Sequence, residues 1–517
     1  MKWIKWIGIL IVSLIVMIAV YLYFMARDRN PGYQVDLSIG SQEENTIMTG
    51  FSALPITPEI VDTWTDVNNN ARYDEDIDTY KDVNGNGKFD AVWIAGFDNL
   101  VAAMGIHDDV WARTIVVDDG NVRLAIVSLD AIGFMHDDVV DVRNLIPKSA
   151  GVDYTIVCST HTHEGPDLIG MWGESPYKSG VDPAHMQYVK NQAAKSVVEA
   201  VKALRPSRLK FAYDPDGADD LLIDTREPEV FDNGFRIIQA IDVENEKTLG
   251  TLAAWADHPE TLWSENLLVS SDFPHYVREG IENGVYYGDS LMVEGVGGIC
   301  VYINGAVGGL MTTHPRLTLH IPFTSDSVKE ANYIKTKAQG DKLAMIGLSA
   351  LDSSNDELDK AGVSLRAKTI DLPIANPLFR LGALLGLLDR GMSGWMKSRS
   401  EISVFSIGPA SFVTVPGEIY PEIINGGVEA PDGADFGIEP VETPSIRSLM
   451  NGKYKFVIGL ANDEIGYIVP KSQWDVKEPY AYGRNKSQYG EGNSFGPETA
   501  PILHSELMKL LREFDAL

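Results

Sequence analysis

The chain has 517 residues, 43 of them Lys or Arg and 73 Asp or Glu, for a formal net charge of −30, with 44% apolar residues and two cysteines. That apolar fraction fills a packed core and excludes wholesale disorder. The acidic balance repels phosphate backbones and argues against a nucleic-acid partner, and two cysteines outside any C-x-x-C pair exclude a disulfide framework.

Residues 6–25 (WIGILIVSLIVMIAVYLYFM) carry no charge. As a helix they reach about 30 Å, the thickness of a bilayer core. Lys2 and Lys5 precede the run; Arg27, Asp28 and Arg29 follow it. A secretory signal has a shorter apolar region and a small-residue cleavage site, whereas the exit here reads Tyr-Phe-Met-Ala. The sequence therefore predicts an uncleaved single-pass anchor over 1–26 and a polar linker over 27–47. The remainder, 48–517, is expected on the extracytoplasmic side.

Beyond the linker, apolar runs alternate with amphipathic segments. Strands are predicted at 113–117, 122–130, 154–160, 235–242, 250–256, 299–303, 403–407, 410–415 and 456–460. Helices are predicted at 185–204, 326–348 and 499–514. No repeat and no internal linker divides them, so the pattern reads as α/β: one large mixed-sheet domain with helices packed on it, preceded by the membrane helix.

Two stretches interrupt the alternation, 62–93 and 376–399. In the first, Asp82, Asn84, Asn86, Lys88 (through its backbone carbonyl) and Asp90 fall at positions 1, 3, 5, 7 and 9 of a calcium loop, with Gly87 at the sharp turn. Asp66, Asn68, Asn70 and Asp74 repeat the spacing sixteen residues earlier. The bidentate Glu of position 12 is replaced by Ile77 and Trp93, and the repeat is too short for paired EF-hands. The insertion reads as a free-standing calcium-binding excursion; the competing reading is a solvated Asn/Asp-rich loop. In the second stretch, residues 378–388 (LFRLGALLGLL) are apolar on nearly every face. Such a helix suits a membrane-dipping or acyl-channel element, and suits a core helix equally well.

The most informative segment is YTIVCSTHTHEGPD at 154–167. An apolar strand runs into His161-Thr162-His163, and residues two apart on a strand share a face, so both imidazoles are expected to look into one site. Neutral imidazole is a favoured zinc ligand. A binuclear H-x-H-x-D-H site is excluded by Gly165 and Pro166, and the regular strand–helix repeat of a barrel amidohydrolase is absent. His258, Glu418 and Tyr467 each border an apolar strand as well, although any one of them alone reads as structural.

Taken in order, the blocks GIHDDVWAR (105–113), STHTHEGPD (159–167), WADHPETL (255–262), VSSD (269–272), VPGE (415–418), GLANDEIGY (459–467) and QYGEGNSFGPETA (488–500) resemble the neutral, non-lysosomal ceramidase family. Its members are zinc-dependent amidases that split ceramide into sphingosine and a fatty acid. The resemblance covers about residues 49–511 and implies zinc held by His161, His258, Glu418 and Tyr467. It further implies that His163 and Tyr489 hydrogen-bond the reacting amide, with Arg226, in DTREPEVF, matching a family arginine. The chain departs from the family at NGAVGGLMTTHP (304–315), where Gly309 and Met311 stand in place of an Asp and a Ser. Asp257, Asp272 and Glu164 are near enough in sequence to be considered as bases. The expectation is zinc-assisted hydrolysis of a lipid amide. The alternatives are a metal-binding surface protein without catalysis, and a zinc esterase or amidase with another substrate. Cys158 and Cys300 are expected as small buried residues.

Overall fold

The computed structural model describes residues 2–40 and 44–516. Its largest element is a nine-stranded sheet. In chain order the strands are β2 (Met48–Pro55), β3 (Trp111–Asp118), β4 (Arg123–Leu129), β5 (Tyr154–Ser159), β6 (Arg205–Asp214), β7 (Phe235–Asp242), β8 (Thr248–Trp255), β9 (Ile299–Asn304) and β10 (Asp356–Leu358). Their spatial order is β9-β8-β7-β6-β2-β3-β4-β5, with β10 also paired to β6. Both outer pairs, β8 with β9 and β4 with β5, are parallel.

A second, five-stranded sheet runs β1-β11-β12-β13-β15. It is made of β1 (Asp36–Gly40), β11 (Val363–Pro373), β12 (Lys397–Ile407), β13 (Ala410–Thr414) and β15 (Tyr454–Ile458). The main core lies between the two sheets, where Phe211, Ile238 and Val301 of the first meet Phe405, Phe412 and Phe456 of the second. The rings of Phe405, Phe412 and Phe456 stack at centroid spacings of 4.4 and 4.5 Å.

The strands of the large sheet read as continuous apolar runs because both faces are covered. Along β4, Leu124 and Ile126 enter the core between the sheets. Ala125, Val127 and Leu129 face a second core beneath the helices α2 (His136–Leu145) and α3 (Pro183–Lys202). Asp182 caps α3 by accepting from the Ala184 amide at 2.8 Å, with Pro183 at the first helical position. Gly50 of β2 lets α3 lie directly on the sheet, since a Cβ there would stand 2.0 Å from the Ala200 oxygen. A third core packs α4 (Phe273–Asn283) and α5 (Tyr333–Ser353) on the same sheet. The predicted helix at 326–348 begins seven residues late because Asn332, which accepts from the Ile334 and Lys335 amides, supplies the cap. The last helix, α7 (Thr499–Phe514), covers the outer face of the small sheet and has the bounds expected of it.

Ahead of all this, α1 (Lys2–Ala26) projects from the domain and touches it only through its last turns, where the Tyr21 hydroxyl donates to the Leu385 carbonyl. Its apolar stretch, Trp3–Ala26, is long enough to cross a membrane and has no buried residue in its most apolar window. The segment expected as a free linker is in fact docked. Asp28 accepts from Arg399 at 2.6 and 2.9 Å, Asn30 donates to Asp137 at 2.8 Å, and β1 joins the small sheet. Residues 41–43 of that segment lie outside the described residues. The helix expected around 378–388 is α6 (Pro377–Leu385), and it is not a core helix: only Gly382 and Ala383 are buried.

The insertion at 62–93 has a small aromatic core of its own, with Trp64 and Tyr73 buried and Tyr80 and Phe89 packed against them. Its two Asp/Asn loops are superimposable in their hydrogen bonding. Asp66 accepts from the Asn70 and Ala71 amides, and Asp82 from those of Asn86 and Gly87. The Asn pairs Asn68/Asn70 and Asn84/Asn86 converge on Asp74 and Asp90 at 2.9 and 2.6 Å. Two buried carboxylates that spacing alone did not single out close the loops. Asp78 accepts from the Val67 and Asp74 amides, and Asp62 from those of Val83 and Asp90.

Candidate metal centre

The large sheet curls until its two edge strands approach each other. Ser128 of β4 donates to the Tyr302 carbonyl of β9 at 2.6 Å, and Asn304, the last residue of β9, donates to the Thr160 carbonyl just past β5 at 2.8 Å. The same amide donates to the Asp257 carbonyl at 2.8 Å, while its oxygen accepts from the Asp257 and Gly305 amides. Thr160 and Asp257 are the residues immediately before His161 and His258. One fully buried asparagine therefore holds together the strand ends that carry both histidines.

His161 and His163 lie beyond the end of β5 rather than on it, and strand alternation is not what brings them together. His161 adopts a left-handed backbone, φ 69°, which turns the chain and sets the two rings 5.0 Å apart and nearly perpendicular. A non-glycine residue in that region costs about 1 kcal/mol or more, and such strain concentrates at functional sites. The ring atoms of His161, His163 and His258 that can ligate lie within 4.8 Å of one another, and all three residues are buried.

Glu418 and Tyr467 reach the same point from a short parallel pair, β14 (Glu418–Ile419) and β16 (Tyr467–Ile468), in which they are direct register partners. Glu418 Oε2 stands 3.3 Å from His161 Nε2 and 3.1 Å from His258 Nε2, and the Tyr467 hydroxyl is 3.3 Å from His258 Nε2. Each imidazole is oriented from behind. His161 Nδ1 is 2.5 Å from the Ile132 carbonyl, and His258 Nδ1 is 2.9 Å from that of Met311. A carbonyl accepts only, so each Nδ1 carries the proton and each Nε2 aims a lone pair at the common centre. Two imidazole lone pairs facing one carboxylate, with His163 close by, form a group that could hold a metal ion.

The electrostatics of the cluster point the same way. Burial opposes charge on His258, yet the Glu418 hydrogen bond and the Glu260 charge raise it to about 9. Burial would raise Glu418, but His161 and His258 hold it below the usual carboxylate range. The centre therefore favours positive charge between Glu418 and the two imidazoles. His163 differs: burial and its two histidine neighbours push it well below 6.5, and neither of its ring nitrogens has a hydrogen-bond partner among the described residues. Gly96 makes room for it, since a Cβ there would lie 2.6 Å from the His163 side chain.

His161, His163, Glu418 and Tyr467 line a pocket of about 630 Å³ including its mouth, together with Ile132, Met135, Ile169, Trp172, Phe379 and Leu388 on its apolar side and with Tyr489 and Asn493; His258 is not among the lining residues. Tyr489 lines the pocket, and its hydroxyl accepts from Asn493 at 2.7 Å. Arg226 does not line it. Its guanidinium is buried, paired with both oxygens of Glu491, and donates to the Tyr489 carbonyl at 2.7 Å, so it holds the Tyr489 backbone instead of meeting a substrate. None of the carboxylates considered as bases lines the pocket. Asp257 accepts from Thr313 and Gln339, Asp272 caps α4, and Glu164 accepts from Asn266. Glu464, inside the GLANDEIGY block and overlooked in it, does line the pocket; one of its oxygens accepts from the Gly466 amide and the other has no partner among the described residues.

The departures at 304–315 leave this arrangement standing. Met311 acts through its carbonyl, which accepts from both the backbone and Nδ1 of His258, while its side chain packs in the core with α4 and α5. Gly309 is left-handed, φ 78°, with its α-carbon side against Asp224.

No family model and no curated protein matches the chain. Among solved structures it is similar to a neutral ceramidase from Pseudomonas aeruginosa, with a TM-score of 0.63 and 15% identity over 91% of this chain and 74% of that one. It is also similar to a ceramidase complexed with C2, with a TM-score of 0.62 and 16% identity over 90% of this chain and 75% of that one. At these identities the likeness is one of fold.

Proposed function

We propose that this chain is a membrane-anchored, zinc-dependent hydrolase that cleaves the amide bond of ceramide or a related N-acyl lipid, releasing a sphingoid base and a fatty acid. The observation that carries the reading is the convergence of the His161 and His258 lone pairs with Glu418 and Tyr467 at one end of an apolar pocket. The fold shared with ceramidases and the sequence blocks that meet at this site support it.

His161, His258, Glu418 and Tyr467 would hold the zinc, which would supply Lewis acidity toward an amide carbonyl and a water. Around it, the chain's own groups handle the charge that develops. His163, kept neutral, can donate one ring N–H to an amide oxygen. Tyr489 accepts from Asn493 and so has its own proton free to donate; although its side chain is half exposed, partial desolvation and the Glu418 charge raise it above the ordinary tyrosine value, and the phenol stays protonated. Loss of one such donor typically costs about 3 kcal/mol of barrier. Arg226 fixes the Tyr489 backbone in reach. The apolar wall accepts an alkyl chain at about 0.8 kcal/mol for each buried CH₂.

α1 serves as the anchor, with the domain on the extracytoplasmic side. The test uses the full chain and a short-chain fluorescent ceramide. Fatty-acid release that stops on chelation and returns with zinc is expected. Zinc binding without release from ceramide, alongside turnover of an ester or another N-acyl amide, would move the substrate. Zinc binding with no turnover of any of them would leave a metal-binding protein.

The insertion completes the reading as a calcium-binding element. Asp66, Asn68, Asn70 and Asp74 frame one site; Asp82, Asn84, Asn86, the Lys88 carbonyl and Asp90 frame the other. A half-turn of each Asn amide presents its oxygen to the loop centre. Arg72 and Lys88 are exposed trypsin sites inside these loops. Calcium is expected to suppress cleavage at both, and at a hundredfold excess over its dissociation constant to stabilise the loops by about 2.7 kcal/mol. Asp66→Ala should abolish protection at Arg72, and Asp82→Ala at Lys88. Equal cleavage with calcium and with chelator would contradict the assignment.

A further inference from the structure

α6 presents three leucines to the outside. Leu378, Leu381 and Leu385 are spaced three and four apart on one face and are 69%, 50% and 42% exposed, and Trp395, in the turn beyond, is 88% exposed. A contiguous apolar face of this kind marks an interaction surface. Its neighbour identifies what covers it. The Tyr21 hydroxyl, in the last turns of α1, donates to the Leu385 carbonyl at 2.9 Å, and Gly386 approaches Met25 so closely that a Cβ would stand 2.9 Å from its sulfur. The junction between anchor and domain is fixed by the Asp28–Arg399 and Arg29–Asp389 pairs and by Asn30 bonded to Asp137. An anchor locked in this way sets the height of the domain. With α1 across a bilayer, the α6 leucines and Trp395 lie level with its C-terminal end, where interfacial aromatics and flanking cations such as Arg27 and Lys397 belong.

The same leucines line a groove with Tyr177. Met171, Phe379, Leu388 and Asn493 line both this groove and the metal pocket, so the two are continuous. We propose that the outer face of α6 and Trp395 insert into the membrane interface beside α1, and that an acyl chain passes from the leaflet to the metal centre along this groove. The path rests on the proposed function; the membrane contact does not.

The test uses the full chain in phosphatidylcholine vesicles. Cys158 and Cys300 are both fully buried, so Leu381→Cys or Trp395→Cys offers one accessible thiol for an environment-sensitive fluorophore. Quenching by lipids spin-labelled near the headgroup, with shielding from iodide in the water, is expected at both positions. A label open to iodide and unquenched by lipid, while a label at Leu10→Cys in α1 is quenched, would overturn the contact. For the path, Trp395→Asp should lower turnover of vesicle-borne long-chain ceramide at least fivefold and leave a water-soluble short-chain ceramide unaffected. Equal loss on both substrates, or on neither, would overturn it. A chain that hydrolyses neither substrate sinks the proposed function and leaves the labelling result to decide the membrane contact.

Discussion

His258→Ala is expected to lower kcat/KM on a lipid amide by at least about 10³-fold, roughly 4 kcal/mol of transition-state stabilisation. The substitution removes one of the two imidazole lone pairs and also the group that Glu418 and Tyr467 both contact. It leaves the Met311 carbonyl buried without its side-chain donor, a folding cost of about 1–3 kcal/mol that denaturation would register separately. Metal content should fall in step with activity. Full zinc occupancy with full activity in this variant would remove His258 from the site.

Asn304→Ala is expected to be nearly as severe without touching the centre. Its amide makes two donations and accepts two more bonds, three of the four with backbone groups of Thr160 and Asp257 next to the histidines and the fourth with its own neighbour Gly305. Deleting it strands several buried polar groups, for a destabilisation of about 3–5 kcal/mol and a loss of zinc affinity of about 10- to 100-fold. A structural role alone would lower stability and leave the zinc affinity of the surviving folded protein unchanged. The positioning role requires both to fall. Asn304→Asp keeps the shape but loses both N–H donors, and should not rescue.

The strands that pack on both faces were legible because burial on two sides writes an unbroken apolar run, as in β4 and β9. β2 was not. MTGFSALP carries a glycine and a proline that read as breaks, yet Gly50 is there to admit α3. The docked segment around Asp28 and Asn30 reads as linker because its partners, Arg399 and Asp137, are far away in sequence. The histidines of the HxH block were legible as chemistry but not as geometry. Nothing local announces the left-handed turn at His161, whose amide and ring bond the Ala131 and Ile132 carbonyls some thirty residues earlier in the chain. Glu418 and Tyr467 are 49 residues apart and meet through one register pair, so their partnership was legible only through the resemblance of their blocks to a known family. Asn304 and Glu464 carried no signal, since a buried amide and a pocket carboxyl are defined by the surfaces that fold around them. For α6, composition left core and interface equally open, and only the exposure of its leucines beside α1 separates them.

The most direct measurement is X-ray absorption at the zinc edge of the purified full chain, with metal content determined on the same sample. One zinc per chain in a shell of two imidazole nitrogens and light oxygen donors at about 2.0–2.2 Å, lost in His161→Ala, is the predicted result. A shell containing sulfur, or metal retained unchanged in that variant, would contradict the assembly of the centre from His161, His258, Glu418 and Tyr467.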